Sequence, residues 1–387
     1  MAFSVRCYFA WLSPTDRFTY NASKNLQLRF LMSLPKTLAA GAFLCGSALA
    51  LAQDYLPILQ YHHVDANTPR ATSVAPDEFR EHMDYLKSAG FQVVDLPQAL
   101  TAIKAGEPLP EKAVAITFDD AYRNIYENGF PVLKEHGFPF TVFINTGPIE
   151  KGHSSFLTWA QMQEMEQSGG VFANHTVSHP YMLRLKDGET HEQWRARMAH
   201  EVNAVEQLLN DKLGHSPKML AYPYGESNAE IREQLAEQGM IAFGQQSGVV
   251  DQHSDFTNLP RFPAAGHYAN LSSLKVKLNA KPMPLLSFED QGEFASHQPV
   301  SMTLNFQGGN YRLKDLACYV AGQGKAKLEW LEANQVKVQA EQAFPVGRGR
   351  INCTMPDQSG RHYYWFSNVW IHASADQAYV TEKIKKN

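Results

Sequence analysis

Two short clusters of ionisable side chains in this sequence have the residue types of a metal site. Asp119 and Asp120 follow the apolar run 113–116, and His175 and His179 follow the apolar run 170–173. One carboxylate and two imidazoles suit a divalent metal, and three protein ligands leave positions open for water and substrate. The second carboxylate can then take a proton from water. Together the clusters are typical of a metal-dependent hydrolase.

Each cluster alone has an ordinary explanation. Adjacent aspartates most often stand in a solvated turn or cap a helix. Two histidines four positions apart share one face of a helix, but they need a third ligand before they indicate a metal. Because both pairs follow short apolar runs of the kind that form buried strands, their joint occurrence favours the metal site.

These residues resemble the motifs of a known family, the polysaccharide deacetylases with a NodB-homology domain (carbohydrate esterase family 4). The matching motifs are Thr-Phe-Asp-Asp at 117–120, Asn-His-Thr-Val-Ser-His-Pro at 174–180 and Tyr-Pro-Tyr-Gly at 222–225. The resemblance extends over about residues 55–280. It implies a (β/α) barrel fold and removal of acetyl groups from a polysaccharide.

The resemblance also implies the roles of individual residues. Asp119 is expected to be the general base, and Asp120, His175 and His179 are expected to hold a divalent metal, most often Zn²⁺. The backbone N–H of Tyr224 is expected to donate to the oxyanion, a role that needs no particular side chain.

The sequence departs from the family pattern at several points. Ala121 replaces the usual Gly after the Asp pair, and the Arg that often precedes the third motif is missing from 220–221. Another group must then orient the base. Arg261 is one candidate, although its interpretation as a surface or structural arginine is favoured. The later Asp-Trp and apolar-run-then-His motifs are also not evident, so the general acid must come from elsewhere.

A replacement acid is found upstream. The apolar run 56–61 ends at His62 and His63, as the run 113–116 ends at the Asp pair, and strand ends share one face of a (β/α) barrel. This arrangement is similar to the permuted family members that act on poly-N-acetylglucosamine. By that likeness His62 is the predicted acid, and His267 is the fallback. A packing or surface role for both His62 and His63 stays open.

Strand and helix patterns alternate between residues 53 and 283. They predict strands at 56–61, 91–94, 113–117 and 140–144, with helices at 76–89, 96–105, 125–136, 159–167, 189–209 and 228–238. Such alternation favours parallel strands with helical crossovers. A distorted, incomplete (β/α)7-type barrel is the predicted fold, with a doubly wound sheet as the alternative from pattern alone.

The composition changes after residues 281–284. Short alternating runs replace the helical periodicity, which predicts a small all-β, sandwich-like domain at 284–387 after a catalytic domain at 53–283. Five aromatic residues there are either a sugar-stacking platform or, as we favour, core filling: Trp330, Tyr363, Tyr364, Trp365 and Trp370.

The N-terminal segment 1–52 reads as an extension followed by a signal peptide. Residues 38–52 form a stretch of apolar and small residues, and signal cleavage is expected before Gln53. This stretch is too short to span a membrane comfortably. Met32 is a candidate true start. Export to the periplasm or the exterior is therefore predicted. Cys318 and Cys353 remain as an even pair in an oxidising compartment, so a disulfide is expected.

Charge limits the partners. The chain carries 35 basic and 39 acidic side chains, of which residues 1–52 hold five and one, so the remainder has a net charge of −8. An acidic chain disfavours nucleic acid as a partner. A polysaccharide substrate is expected, whereas the oligomeric state is left open.

The sequence thus predicts a metal-dependent deacetylase that cleaves acetamide groups of a polymer of N-acetylglucosamine type. Two alternatives stay open: a non-catalytic carbohydrate-binding protein that retains the metal ligands, and an O-acetyl ester deacetylase. Neither the glycan linkage nor the group that orients Asp119 follows from the sequence.

Overall fold

A computed structural model describes residues 52–373 apart from 293 and 296, together with residues 379–380. The predicted signal peptide lies outside these residues except for Ala52, as does the rest of the N-terminal extension. Among the described helices, none is both long and apolar enough to cross a membrane.

The first part of the chain contains thirteen of the strands in the described residues. In chain order they are β1 (Ala52–Gln53), β2 (Tyr55–Tyr61), β3 (His63–Val64), β4 (Ser73–Val74), β5 (Gln92–Val93), β6 (Leu109–Pro110), β7 (Ala113–Asp119), β8 (Phe140–Ile144), β9 (Gly170–Asn174), β10 (Met219–Ala221), β11 (Ile241–Phe243), β12 (Val249–Asp251) and β13 (Phe262–Pro263).

These strands build a curled sheet in the order β11-β10-β9-β8-β7-β2. Every neighbouring pair in that order is parallel. Strands β13 and β5 add parallel pairings to β2 and β7, and β12 runs antiparallel to β2. The predicted incomplete (β/α) barrel is confirmed. Because the strands are parallel, the residues that follow β2, β7, β9 and β10 meet at one edge of the sheet.

Strand β7 shows why the sheet is so apolar. All seven of its residues are buried, as expected for a parallel strand covered on both faces. Val114, Ile116 and Phe118 join the core beneath helix-borne side chains, whereas Ala113 and Ala115 join a second core on the opposite face. Since side chains alternate along a strand, Asp119 continues the Ala113–Ala115 face.

Helices cross between the strands: α1 (Pro76–Ser88), α2 (Leu96–Ala105), α3 (Phe130–His136), α4 (Thr146–Glu150), α5 (Trp159–Glu166), α6 (His191–Leu213), α7 (Ala229–Glu237) and α8 (Leu271–Leu278). The predicted helix at 125–136 begins with a π-helical turn, Ile125–Gly129, ahead of α3. Helices α4 and α8 were not predicted, since α4 is one turn long and α8 contains several polar residues.

The C-terminal part is all β. Its strands are β14 (Ala280–Pro282), β15 (Leu285–Asp290), β16 (Phe294–Ala295), β17 (Ser301–Phe306), β18 (Ala317–Val320), β19 (Gly324–Lys325), β20 (Lys327–Glu332), β21 (Gln335–Gln339), β22 (Gly347–Pro356) and β23 (Tyr363–His372).

Two sheets, β14-β23-β22-β18-β19 and β15-β17-β21-β20, enclose a separate apolar core. The predicted sandwich-like architecture is confirmed, while the domain boundary at 283 stays a prediction. Core filling is the right interpretation for Trp370, which is fully buried, but not for Trp330 and Tyr363, which are 43% and 37% exposed.

The expected disulfide joins Cys318 of β18 to Cys353 of β22, which face each other directly in the antiparallel ladder. Both residues belong to the core of the sandwich. The bond therefore closes a loop of 35 residues inside the C-terminal part.

Replacing both cysteines by serine should lower the free energy of unfolding by about 3–4 kcal/mol, because the unfolded chain regains the entropy of the open loop. Urea unfolding of the double variant and of the parent protein measures the difference. A dithiothreitol titration of the parent protein should reproduce the loss. Equal stability of oxidised and reduced protein would contradict a structural role for the bond.

Candidate active site

The Asp pair lies at the carboxyl end of β7, where the backbone turns sharply. Asp119 is the last residue of the strand, while Asp120 and Ala121 take left-handed conformations with φ of 76° and 57°. Such conformations are costly for residues other than glycine. The turn interrupts strand alternation, and the two carboxylates lie beside histidines, Asp119 next to His62 and Asp120 next to His175.

The two histidines lie on a bent loop after β9, not on a helix. Thr176 and His179 both have positive φ, 67° and 54°. Helix α6 holds the loop: Glu201 accepts hydrogen bonds from the Ser178 N–H at 2.8 Å and from its hydroxyl at 2.6 Å. The buried Glu206 accepts from the Asn174 side chain at 2.9 Å. The loop geometry is thus fixed by carboxylates on a long helix.

The predicted ligands converge. Asp120 Oδ1 lies 3.2 Å from His175 Nε2 and 3.3 Å from His179 Nε2. All three donor atoms are within 4.8 Å of one another. Donor atoms bound to one ion at about 2.1 Å with near-tetrahedral angles stand about 3.4 Å apart. The two distances from Asp120 Oδ1 to the histidine nitrogens match this value.

The hydrogen bonding of His175 also fits a metal ligand. Its Nδ1 lies 2.7 Å from the Ala221 carbonyl, which can only accept, so Nδ1 carries the proton. Its Nε2 is buried and makes no hydrogen bond within the described residues, although Asp120 Oδ1 is close. A ring nitrogen and a carboxylate oxygen this close together in a buried site are placed to share one cation.

Asp119 is held by a different set of partners. Arg261 donates to both carboxylate oxygens, Nη1 to Oδ1 at 2.6 Å and Nη2 to Oδ2 at 2.8 Å. Gln60 donates to Oδ2 at 2.7 Å. Arg261 is fully buried, so its interpretation as a surface arginine is wrong, and its two hydrogen bonds make it the group that orients Asp119.

Electrostatics keep Asp119 ionised. Burial alone would raise the pKa of its carboxyl, but the charges of Arg261, His175 and His62 and the hydrogen bonds from Arg261 together outweigh burial, and the pKa lies well below its usual range. The carboxylate is therefore charged at every physiological pH.

His62 stands beside the Asp pair, with Nε2 3.8 Å from Asp119 Oδ2 and a side chain 18% exposed. His63 instead packs on Tyr122, with ring centroids 3.6 Å apart, and its Nδ1 contacts Asn124 at 3.0 Å. His267 is exposed in a 3-10 turn. Of the three candidate acids, His62 has the contact with Asp119.

Tyr224 follows β10 and has a left-handed backbone with φ of 57°. Its ring meets His179 edge-on at 4.6 Å and stacks on Tyr181 at 3.9 Å. This contact brings the third motif next to a metal-ligand candidate. Arg348 of β22 donates to the Tyr224 carbonyl and, at 2.9 Å, to Gln245 Oε1, so the sandwich contacts this loop.

Gln60 and Arg348 were not predicted from the sequence. For Gln60 a signal existed, since it is the polar residue inside an otherwise apolar run, and β2 pairs Gln60 with Thr117 beside the Asp motif. For Arg348 no local signal existed, because its partner lies 124 residues away.

The family model described as polysaccharide deacetylase matches residues 106–243. YxkH of Bacillus subtilis, classed by name with the polysaccharide deacetylases, is 33% identical over 184 residues, which are 48% of this chain and 62% of that protein. The poly-beta-1,6-N-acetyl-D-glucosamine N-deacetylase of Escherichia coli K12 is 29% identical over 240 residues, which are 52% of this chain and 35% of that protein. The chain thus spans less than two thirds of either relative.

Among solved structures, IcaB from Ammonifex degensii superposes with a TM-score of 0.50 at 25% identity. The match covers 57% of this chain and 96% of that chain.

Replacing Arg261 by leucine should cost about 3–5 kcal/mol of unfolding free energy, because the buried charge of Asp119 loses its counterion. Adding Asp119→Leu should recover most of this loss. Urea unfolding in the presence of a chelator measures both without metal linkage. Arg195→Leu is the matched control, since this half-exposed arginine pairs with Glu230 and should cost less than about 1 kcal/mol. Equal losses of unfolding free energy for Arg261→Leu and Arg195→Leu would contradict the central position of Arg261.

Proposed function

We propose that this protein hydrolyses acetamide groups of an N-acetylated polysaccharide of N-acetylglucosamine type, since residues 106–243 match the family model described as polysaccharide deacetylase. The products are acetate and a free amino sugar. The observation that carries the proposal is the close approach of three groups: the Asp120–His175–His179 cluster, the Arg261-bound Asp119, and His62.

In the proposed mechanism Asp120, His175 and His179 hold a divalent metal, Zn²⁺ by the preference of such a donor set. When bound, this ion supplies Lewis-acid polarisation of the acetamide carbonyl and lowers the pKa of water. His175 is prepared for the role by its hydrogen bond to Ala221, which directs the Nε2 lone pair toward Asp120.

Asp119 is proposed to accept the proton of the attacking water. Arg261 and Gln60 fix the carboxylate through three hydrogen bonds. These contacts lower the proton affinity of Asp119 but keep it ionised and oriented, so the base is always in its accepting form. Arg261 thus contributes by preventing the Asp119 carboxylate from rotating away from the orientation in which it accepts the proton.

His62 is proposed to protonate the departing amine, and the Tyr224 N–H to donate to the oxyanion. His62 lies beside the base, 3.8 Å from Asp119, so one substrate group can be within reach of both residues. An amine leaves poorly unless it is protonated, which makes the acid more important for an amide than for an ester.

Secretion is part of the proposal. The signal-like segment 38–52 and the disulfide Cys318–Cys353 both favour an exported protein, periplasmic or extracellular. That location would bring the protein to an extracellular or envelope polysaccharide.

Asp119→Asn should abolish acetate release from N-acetylglucosamine oligomers, with a loss of at least about 100-fold, because the amide cannot accept the proton. Metal content, measured by mass spectrometry of the purified protein, should stay at the parent level. Chelation should also abolish acetate release in the parent protein, and added Zn²⁺ should restore it. Activity retained by Asp119→Asn would contradict the assignment of the base, and activity unaffected by chelation would contradict the metal.

His62→Ala should reduce acetate release from an N-acetylated oligomer by about 100-fold or more, the usual contribution of a general acid. Release from an O-acetylated sugar should fall much less, because an alkoxide needs less help to leave. His267→Ala is the control and should leave both rates near the parent values. If His62→Ala reduced acetate release from the N-acetylated and the O-acetylated substrate by a similar factor, His62 would not be the acid. If it changed neither rate, ester hydrolysis would be favoured.

A further inference from the structure

A second concave site lies between the barrel and the sandwich. It is a groove of about 490 Å³. The barrel side contributes Tyr268 and Lys277, and the sandwich side contributes Tyr319, Arg350 and Trp365. None of the proposed catalytic or metal-binding residues lines it.

The groove is rich in accessible rings. Tyr268, Tyr319 and Tyr363 are 44%, 45% and 37% exposed, and Trp365 is half-buried. Exposed aromatic side chains that converge on one concavity are typical of a binding site rather than of a core. Their flat faces suit the apolar faces of pyranose rings.

Polar groups accompany the rings. Arg350, Asn352 and Thr354 line the groove from the outward face of β22, on alternate residues of the strand. Hydroxyl and acetamide groups of a sugar can pair with such side chains. An aromatic wall with a small number of aligned polar groups is the usual composition of a ligand site.

The charge of the groove is positive. No Asp or Glu is among the described residues that line it. Arg350 Nε is buried without a hydrogen-bond partner in the described part of the chain. Burial, and then the charge of Arg350, lowers the pKa of Lys277 to about 7, so Arg350 is the constant positive charge.

We propose that this groove binds the N-acetylated form of the polysaccharide and that Arg350 makes it reject the deacetylated form. The proposal deepens the proposed function and rests on it for the identity of the polymer. An N-acetylated sugar is neutral, whereas the product amine is a cation that Arg350 repels. The groove would then hold chains that still carry acetyl groups and release those already cleaved.

Strand β22 connects the groove to the candidate active site. Arg348, which contacts the Tyr224 loop, lies on the same outward face as Arg350, Asn352 and Thr354. At about 3.3 Å per residue, this face extends about 20 Å from Arg348 to Thr354. A polymer that occupies both sites would follow this strand.

The test is calorimetric binding of an N-acetylglucosamine hexamer and of its fully de-N-acetylated counterpart to protein carrying Asp119→Asn, which leaves the hexamer intact. The acetylated hexamer should bind at least about tenfold more tightly. Arg350→Glu should remove or reverse this preference. Tyr363→Ala should weaken binding of the acetylated hexamer about tenfold.

Lys327→Glu is the matched control, because this exposed cation of β20 lies outside the groove and changes the net charge equally. It should leave the preference unchanged. If Arg350→Glu does not fold, Arg350→Gln serves in its place and should narrow the preference. An effect of Lys327→Glu equal to that of Arg350→Glu, or no effect of Tyr363→Ala, would overturn the proposal.

The two proposals can fail separately. Binding that depends on Arg350 and Tyr363, with no acetate released by the parent protein, would reject the deacetylase and keep the groove. A different result would reject the groove and keep the deacetylase. In that case the parent protein releases acetate, and every groove variant changes the rate on a disaccharide and the rate on a hexamer by the same factor.

Discussion

Arg261 and Asp119 form an ion pair that is fully withdrawn from solvent and joins three parts of the barrel. The guanidinium donates to Asp119 and Thr117 of β7 and, through Nε, to the Gly244 carbonyl just after β11. Arg261 itself directly precedes β13, which pairs with β2. A buried charge needs its partner, so the middle of the sheet, one of its edges and the Asp119 carboxylate of the candidate active site adopt their positions together.

Backbone strain is concentrated around this ion pair. Asp120, Ala121, Thr176, His179 and Tyr224 are all left-handed, at roughly 1–2 kcal/mol each. Ala121 shows how the chain tolerates it: its buried methyl group contributes about 0.8 kcal/mol, which offsets much of the penalty that glycine would avoid. For the strained histidine loop, the compensation comes from hydrogen bonds to Glu201 and Glu206, which an unstrained loop conformation would not make.

The sequence predicted features that depend on neighbouring residues. Apolar runs marked β2, β7, β8 and β9, and the motif residues at their ends became the converging donors Asp120, His175 and His179. What it did not predict depends on distant contacts. Arg261 is 142 residues from Asp119, so nothing near it in sequence reveals its burial. The histidine spacing suggested one face of a helix, but the loop is shaped by carboxylates on α6 that no local pattern connects to it.

The ten-residue strand β22 contacts the barrel through its outward face. It pairs with β23 from Gly347 opposite His372 to Pro356 opposite Tyr363, and Gly349 and Ile351 face inward between Arg348, Arg350 and Asn352. Because the side-chain period is two, sliding β22 by one residue would turn Arg348 into the sandwich core. The loop at Tyr224 therefore gains its contact with Arg348, 124 residues further along the chain, only when β22 and β23 have paired in the correct register. Folding of the candidate site is thus completed only after the sandwich has formed.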